Sequence, residues 1–369
     1  MPPDDATARS KAMAWARLLL LVFLPIAAGL QYFAPNYPTL VFVTGAIAVA
    51  VLADWVRQAT EQVAAHAGPA IGGLLTVSFG SIAELLLAFF VLMESGPEIV
   101  RAQITGSIIG TTLLGLGLAM LAGGLWFEHQ TFKRERAGLL ASMLVLVVIA
   151  LLLPAIFDLA TGARHGQQHA PISDEKLSLA ISVVLLLLYA GNLVFTLVTH
   201  RDVFASGEEE GGIEAKWSLA RSLTVLVGAT AAIAFGAEIV SGAMQATGQS
   251  LGVPLLFLGV IPLALIGTSS DLLAAVVFGR QNRMGLVMSI CVGSAIQAAL
   301  VIAPLLVLAS WVIGKPMTLV FSDPLDLFAI AGAALIVNAI ASDGETTWFE
   351  GLLLVGVYVL LAFAFFFTG

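Results

Sequence analysis

Long apolar runs alternate with short polar connections along nearly the whole chain. Each run holds about 20 residues, the length that an α-helix needs to cross the hydrocarbon core of a membrane. The pattern predicts eleven transmembrane helices joined by short loops. Their predicted bounds are 14–32, 38–56, 69–93, 101–124, 137–159, 177–199, 217–243, 252–279, 285–311, 325–341 and 347–367.

The composition favours an all-α integral membrane protein. Of the 369 residues, 59% are hydrophobic and only 11% are charged, whereas a soluble domain has about 25% charged residues. The strands of a membrane β-barrel would alternate apolar and polar positions, and these runs do not. The net charge of −8 includes no basic block that would bind nucleic acid. The predicted partner is the lipid membrane, and no pattern indicates an oligomeric state.

Lysine and arginine residues are unevenly distributed between the two sets of predicted loops. With the N-terminus in the cytoplasm, twelve lie on the cytoplasmic side and four outside, the four being Arg101, Arg164, Lys176 and Lys315. Cytoplasmic loops carry the excess of these residues, so we expect a cytoplasmic N-terminus in an inner cell membrane. An odd number of spans then places the C-terminus outside.

Glu84 and Asp271 are lone carboxylates inside two of the predicted helices. Each follows a glycine by four residues, Gly80 or Gly267, with small hydroxyl residues between. A charged side chain at the centre of a transmembrane helix costs about 2.5–3.5 kcal/mol on insertion scales, so such a residue usually marks an ion or proton pathway. For either acid taken alone, bonding to a neighbouring helix is the structural alternative.

The sequence around the two acids repeats. Gly106-Ser107 follow Glu84 by 22 and 23 residues, and Gly293-Ser294 follow Asp271 at the same intervals. The preceding helices each carry a flanking acid, Glu61 in the first half and Glu238 in the second.

This repetition predicts how the chain is organised. An N-terminal tail with the first helix (1–36) precedes a five-helix repeat (37–200), an acidic cytoplasmic linker (201–216) and a second five-helix repeat (217–369). Because five is odd, the repeats enter the membrane from opposite sides. Inverted repeats of this kind place the site of a secondary transporter at their interface, near the membrane midplane.

The residues beside the acids indicate breaks in both helices. Glycine weakens a helix by about 1 kcal/mol relative to alanine, and a break within a membrane is tolerated only where the freed carbonyls line a cavity or bind an ion. A hard divalent cation takes about six to eight oxygen ligands. We expect Glu84 and Asp271 to be metal-ligating acids of one site. The other candidate cation- and proton-binding residues are Gly80, Ser81, Gly267, Thr268, Ser107, Ser294 and Gln297.

The same chemistry predicts a transporter and not an enzyme. A carboxylate that holds no cation in apolar surroundings favours its protonated form, so a cation and protons compete for the same oxygens. This competition predicts exchange of a cation, Ca²⁺ being favoured, for protons, without a cofactor. Three alternatives stay open: the same exchange with Na⁺ or K⁺, an intramembrane hydrolase with paired carboxylates, and a passive cation channel.

Motifs in both halves match those of a known family. The first half contains Ala59-Thr60-Glu61, Gly80 to Glu84 and Thr105-Gly106-Ser107, and the second contains Ala237-Glu238, Gly267 to Asp271 and Gly293-Ser294 with Gln297. On these residues, roughly 40–369 of the chain resembles the calcium/proton exchanger family within the cation/calcium exchanger superfamily.

The resemblance implies proton-driven export of calcium or a similar cation. It makes Glu84 and Asp271 the central binding acids, with Glu61 and Glu238 as flanking acids near the cytoplasmic ion path. The family pattern has Asn after the glycine in both motifs, where this chain has Ser81 and Thr268. Hydroxyls are weaker cation ligands than amide carbonyls, and this departure keeps Na⁺ and K⁺ open.

Overall fold

The computed structural model describes residues 21–67, 72, 75, 79–165, 171–196, 215–321 and 323–368, with the backbone alone for 159–165 and 171–173. The predicted N-terminal tail as far as residue 20 lies outside this part of the chain. So does the predicted linker 201–216, apart from Ala215 and Lys216.

Helices make up almost all of the described chain. The first half contains α1 (Phe23–Phe33), α2 (Pro38–Ala67), α3 (Ile82–Glu94), α4 (Pro97–Ile109), α5 (Leu116–Gly124), α6 (Arg134–His165) and α7 (Pro171–Val194). The second half contains α8 (Leu219–Leu251), α9 (Leu255–Leu258), α10 (Ala264–Gly267), α11 (Ser269–Arg280), α12 (Met284–Gln297), α13 (Ala303–Val312), α14 (Pro324–Asp343) and α15 (Trp348–Thr368). Three wider π-helical turns, Gly110–Gly115, Gly259–Leu263 and Ala298–Ile302, join α4 to α5, α9 to α10 and α12 to α13.

Among the described residues, eight helices are long and apolar enough to cross a membrane. They are α2, the continuous α4–α5, α6, α7, α8, the continuous α12–α13, α14 and α15. The segments Leu255–Gly267 and Ser269–Arg280 are bent by 61° and make a ninth if they count as one span. The predicted spans 14–32 and 69–93 overlap the shorter helices α1 and α3. The all-helical membrane architecture is therefore confirmed, and the count of eleven stays a prediction.

The outer surface is apolar, as a lipid environment requires. On α6, Leu146, Ile149, Leu153 and Ile156 are all exposed and recur every three or four residues, so they share one helix face. A soluble protein would bury such a stripe against its own core. This face is suited to contact with lipid chains.

The two long helices α2 and α8 pack against each other through reciprocal glycine contacts. A Cβ atom at Gly45 would lie 2.9 Å from Cγ2 of Val240, and one at Gly236 would lie 2.9 Å from Cγ2 of Val49. Residue numbers at the contact rise along α2, from 45 to 49, while they fall along α8, from 240 to 236, so the helices are antiparallel. Small residues permit this close approach in membranes.

A short β-ribbon joins distant parts of the chain. Strand β1 (Gln130–Thr131) pairs antiparallel with β2 (Glu345–Thr346), with Gln130 opposite Thr346. The Gln130 side chain also donates a 2.9 Å hydrogen bond to the carbonyl of Gly279 at the end of α11. The ribbon thereby ties the end of α11 to the connections that precede α6 and α15.

Helix α2 runs eleven residues beyond its predicted end at residue 56. Polar residues suggested that the span ends there. In the structure Arg57 bonds Asp54 and Glu61, three and four residues away on the same face. Because charges at this spacing stabilise a helix, α2 continues through them to Ala67.

Candidate functional site

Two helices begin at matching breaks in the backbone. Ser81 (φ −101°, ψ 12°) immediately precedes α3, and Thr268 (φ −96°, ψ 6°) immediately precedes α11. Both lie in the sparsely populated region between helix and strand, which is common at active sites. Gly80 and Gly267 come just before them. The two halves of the chain therefore share one local backbone geometry at these motifs.

The two carboxylates occupy equivalent places after the breaks. Glu84 and Asp271 are each the third residue of their helix, within its first turn. The free N–H groups and the dipole at a helix N-terminus favour negative charge. Glu84 is only 2% exposed, whereas Asp271 is half-buried. Local structure thus stabilises carboxylates that the surrounding apolar residues would disfavour.

Each acid lies beside the serine that follows it by 23 residues. The Ser294 hydroxyl on α12 donates a 2.7 Å hydrogen bond to Oδ2 of Asp271. Ser107 on α4 lies against Glu84, but no hydrogen bond of normal geometry reaches Ser107 Oγ or Glu84 Oε1. Buried polar atoms are rarely left in this state without an ion or water. The oxygens around Glu84 are therefore the ones with coordinating capacity to spare.

The two acids are near enough to act on each other electrostatically. Gly267 lies directly against Glu84, because a Cβ at position 267 would fall 3.2 Å from Glu84 Cγ and 3.3 Å from its Cβ. At Gly80 no described atom lies within 4 Å of the corresponding position. The first-half acid therefore packs on the second-half break, and the two motifs form one cluster.

Three other predicted residues lie at the breaks. The Ser81 hydroxyl donates a short hydrogen bond to the side-chain oxygen of Gln297 on α12, which links the first break to the second half. Ser81 and Gln297 also line a cavity of about 50 Å³, which is large enough for water. The Thr268 hydroxyl instead donates a 2.8 Å bond to the carbonyl of Ala264 within its own segment.

The flanking acids lie in different surroundings. Glu61 pairs with Arg57 on α2, and Arg57 also donates a 2.8 Å bond to Asp54. Glu238 on α8 is exposed. The structure therefore gives Glu61 a bonded partner along its own helix, and it leaves Glu238 on the surface.

A cavity of about 510 Å³ separates α2 from α11. Asp54 and Arg57 line one side, and Leu273, Ala274, Val277 and Phe278 of α11 are among the residues on the other. The charge of Arg57 acts on Asp271. Arg57 therefore offsets part of the negative charge of Asp54 and Glu61 beside this cavity.

Two residues were missed by reasoning from the sequence. Arg57 was assigned to a loop, although the spacing of Asp54, Arg57 and Glu61 on one helix face signals an ion-pair network. Gln103 precedes Ser107 by one helix turn and is 1% exposed. The sequence feature that could have identified Gln103 is a long polar side chain inside an apolar predicted span.

The described residues contain no group of three or more His, Cys, Asp or Glu side chains placed to hold a metal. A cation at Glu84 and Asp271 would need hydroxyl, amide, backbone carbonyl or water oxygens to complete its coordination. These are the ligands that Ca²⁺ accepts, in flexible geometry. Chemically, the arrangement offers two acids that hold either a cation or protons.

Sequence comparison places the chain among known transporters. The model of the family described as sodium/calcium exchanger protein matches residues 37–198 and 221–367. A Ca²⁺/H⁺ antiporter from Synechocystis sp. is 38% identical over 367 residues, covering 95% of this chain and 96% of the relative. The Ca²⁺/H⁺ antiporter ChaA of Bacillus subtilis is 36% identical over 341 residues, covering 90% of this chain and 93% of the relative.

Solved structures have the same fold. Native YfkE superimposes with a TM-score of 0.80 at 30% identity, covering 95% of this chain and 99% of that one. The H⁺/Ca²⁺ exchanger CAX gives a TM-score of 0.69 at 17% identity, covering 96% of this chain and 92% of that one. At that lower identity the likeness concerns the fold alone.

Proposed function

The chain belongs to the sodium/calcium exchanger protein family, and from this we propose that it is a secondary transporter that exchanges Ca²⁺ for protons across the cell membrane. The observation that carries the proposal is the pair Glu84 and Asp271. Both follow matching helix breaks, and each lies beside its own serine. The relatives named Ca²⁺/H⁺ antiporters match along nearly the whole chain.

The mechanism follows from charge. With Ca²⁺ bound, the two carboxylates balance its two positive charges. With a proton on each acid, the site is again neutral. Either loaded form avoids moving a bare charge through the low-dielectric interior, which is the costly state. The empty and doubly charged form is held back by the repulsion of two carboxylates, and this couples the movement of Ca²⁺ to that of protons.

The ligand set extends beyond the acids. We assign Ser107 and Ser294 as partners of Glu84 and Asp271, and Ser81 with Gln297 as a neighbouring polar pair. Gly80, Gly267 and Thr268 form the breaks whose backbone oxygens face the site in this proposal. Glu61 and Glu238 serve the cytoplasmic approach, Glu61 through its pairing with Arg57.

The architecture proposed for this transport is one helix followed by two inverted five-helix repeats. The antiparallel contact of α2 with α8 supports it, because these helices occupy equivalent places in the two halves. The matching breaks at Ser81 and Thr268 support it as well. The excess of Lys and Arg in one set of loops favours a cytoplasmic N-terminus and an external C-terminus.

Exchange of Na⁺ or K⁺ for protons is the second candidate. The observation that favours it is the hydroxyl chemistry of the breaks, where Ser81 and Thr268 offer no amide oxygen of their own. A divalent ion gains more from charged and strongly dipolar ligands than a monovalent ion does.

Reconstitution in liposomes tests the proposal. With a pH gradient as the only driving force, we expect Ca²⁺ uptake coupled to proton efflux, and uptake should fall at least about tenfold in Glu84→Gln and Asp271→Asn. Glu94→Gln is the matched control, since Glu94 is an exposed acid ten residues along the same helix, and it should transport like wild type.

Other outcomes separate the alternatives. Proton-coupled movement of Na⁺ or K⁺ without Ca²⁺ would select the second candidate. Ca²⁺ flux that ignores the pH gradient and persists in both acid variants would mean a passive channel. If none of the three ions moves with protons, the exchange function is wrong.

A further inference from the structure

Gln103 is a buried amide without a hydrogen-bond partner. It lies in α4, 1% exposed, and neither Oε1 nor Nε2 has a hydrogen bond to any residue that the structure describes. An unsatisfied buried polar group costs about 1–3 kcal/mol. A side chain of similar size without polar atoms would avoid this cost. We therefore expect a ligand or a water molecule to bind this amide in the working protein.

The helix geometry places Gln103 beside the candidate site. Gln103 and Ser107 are four residues apart, so they lie on one face of α4. Ser107 lies against Glu84. Ser107 Oγ and Glu84 Oε1 likewise lack a hydrogen bond of normal geometry. Gln103 and Ser107 thus present unsatisfied atoms one turn apart on one face of α4, and Glu84 of α3 presents another beside Ser107.

Thr105 lies on a different face of α4. It lies between Gln103 and Ser107 in sequence and so points to nearly the opposite side of the helix. There it lies against Asp326 of α14. Thr105 is as fully buried, at 0% exposure, and its Oγ1 likewise has no hydrogen bond of normal geometry to a described residue. Its difference from Gln103 is its position, away from Glu84 and Ser107. Thr105 is therefore a natural internal control for Gln103.

We propose that Gln103 is a ligand of the transported cation, with its amide oxygen extending the Glu84–Ser107 oxygens toward the end of α4 that begins at Pro97. This inference rests on the proposed function and adds a residue to the same site. Side-chain amide oxygens are regular Ca²⁺ ligands. Gln103 supplies an amide oxygen on the Glu84 side of the site, where the break at Ser81 has only a hydroxyl.

A neutral ligand has a distinct effect on exchange. The carboxylates bind both Ca²⁺ and protons, so they raise the affinity of the site for both. The amide of Gln103 binds the cation but is not protonated at physiological pH. It therefore raises the affinity for the cation without raising the affinity for protons. Gln103 is in this way a residue that sets the ratio of the affinity for the cation to the affinity for protons.

Nearly isosteric variants test the role. Gln103→Met removes the oxygen and keeps the volume, and Gln103→Glu replaces the amide by an acid. Ca²⁺ binding is measured on purified protein in detergent by calorimetry, and KM for Ca²⁺ is measured in proteoliposomes between pH 6.5 and 8.5, roughly the range over which proton competition changes. Thr105→Val is the matched control on the other face of α4.

We expect Gln103→Met to weaken Ca²⁺ binding and raise KM about tenfold or more. The dependence of log KM on pH should keep the wild-type slope, because no titrating group is lost. Gln103→Glu should steepen that slope, because a third acid then takes up a proton in competition with Ca²⁺. Thr105→Val should stay within about twofold of wild type.

The inference is overturned if folded Gln103→Met binds Ca²⁺ like wild type, or if Thr105→Val loses as much affinity. An unchanged pH slope in Gln103→Glu also contradicts it. Failure of the proposed function has a different signature, since wild type itself would then show no proton-coupled ion movement. Should Gln103→Met not fold, Gln103→Glu keeps the charge-dependent test available.

Discussion

Gly267 lies against Glu84, so that a methyl group at position 267 would fall 3.2 Å from Glu84 Cγ. We expect Gly267→Ala to push Glu84 away from its place and to lower the rate of Ca²⁺/H⁺ exchange about tenfold or more, because small displacements of site residues have effects of this size. Initial Ca²⁺ uptake into proteoliposomes measures it.

Gly80→Ala is the control for Gly267→Ala. Gly80 has the same place relative to its own acid, but no described atom lies within 4 Å of its would-be Cβ. Both substitutions change helix propensity equally. Equal losses in the two variants would assign the effect to the backbone break and would contradict a role for the Gly267–Glu84 contact.

Ser294 supplies the hydrogen bond that orients Asp271, at 2.7 Å. Hydrogen bonds to charged groups contribute about 1.5–3 kcal/mol, so Ser294→Ala should raise KM for Ca²⁺ by roughly tenfold. Ser289→Ala on the same helix is the control. The Ser289 hydroxyl donates a 2.8 Å hydrogen bond to the carbonyl of Gly285 in its own helix, and this variant should keep the wild-type KM.

Arg57 places a positive charge near Asp271. Its charge offsets those of Asp54 and Glu61, with which it pairs, so removing it leaves a more negative cluster beside the α2–α11 cavity, which attracts a cation more strongly. Arg57→Gln should lower KM for Ca²⁺ about three- to tenfold, whereas Arg57→Lys, which keeps the charge, should stay near wild type. The initial rate of Ca²⁺ uptake, measured over a range of Ca²⁺ concentrations in both variants, gives the two KM values that test this prediction. A higher KM in Arg57→Gln would mean that Arg57 instead holds Asp54 and Glu61 in working positions.

Close packing of α5 and α15 is expected to govern stability. A Cβ at Gly351 would lie 2.8 Å from the carbonyl oxygen of Gly117. Overpacking of this kind costs about 1–3 kcal/mol, so Gly351→Ala should lower Tm in detergent, as followed by intrinsic fluorescence.

Gly356 on the same helix provides the comparison for Gly351. No described atom lies within 4 Å of a Cβ at that position. Gly356→Ala should therefore leave Tm unchanged or slightly raised, since alanine favours the helix. A matching fall in both variants would show that the loss does not come from the contact with Gly117.

Much about this protein follows from local pattern alone. Apolar runs identify the membrane class, because only a helix satisfies its own backbone in lipid. The spacing of Gly80 and Glu84, and of Gly267 and Asp271, marks two equivalent positions. The same 23-residue interval to Ser107 and Ser294 identifies the neighbouring helix in each half. These features depend on near neighbours in the chain or on periodicity, and both can be read from the amino-acid order.

Other features depend on how distant segments pack. Nothing local distinguishes Gly267, pressed against Glu84, from Gly80, which faces no described atom. Whether a serine donates to its acid, as Ser294 does at 2.7 Å, depends on the approach of two helices. The continuation of α2 past Arg57 to Ala67 follows from side-chain pairing that overrides polarity.

The sequence by itself therefore determined that the chain crosses a membrane and that each half carries one acid four residues after a glycine, followed 23 residues later by a serine. Only the tertiary structure decided which atoms meet: Glu84 with Gly267, Asp271 with Ser294, and Gln103 with no hydrogen-bond partner among the described residues. The physical reason is that hydropathy and helix periodicity act along the chain. Contacts between separate segments, such as that of Gly267 with Glu84, depend on tertiary packing, in which shifts of a few tenths of an ångström matter.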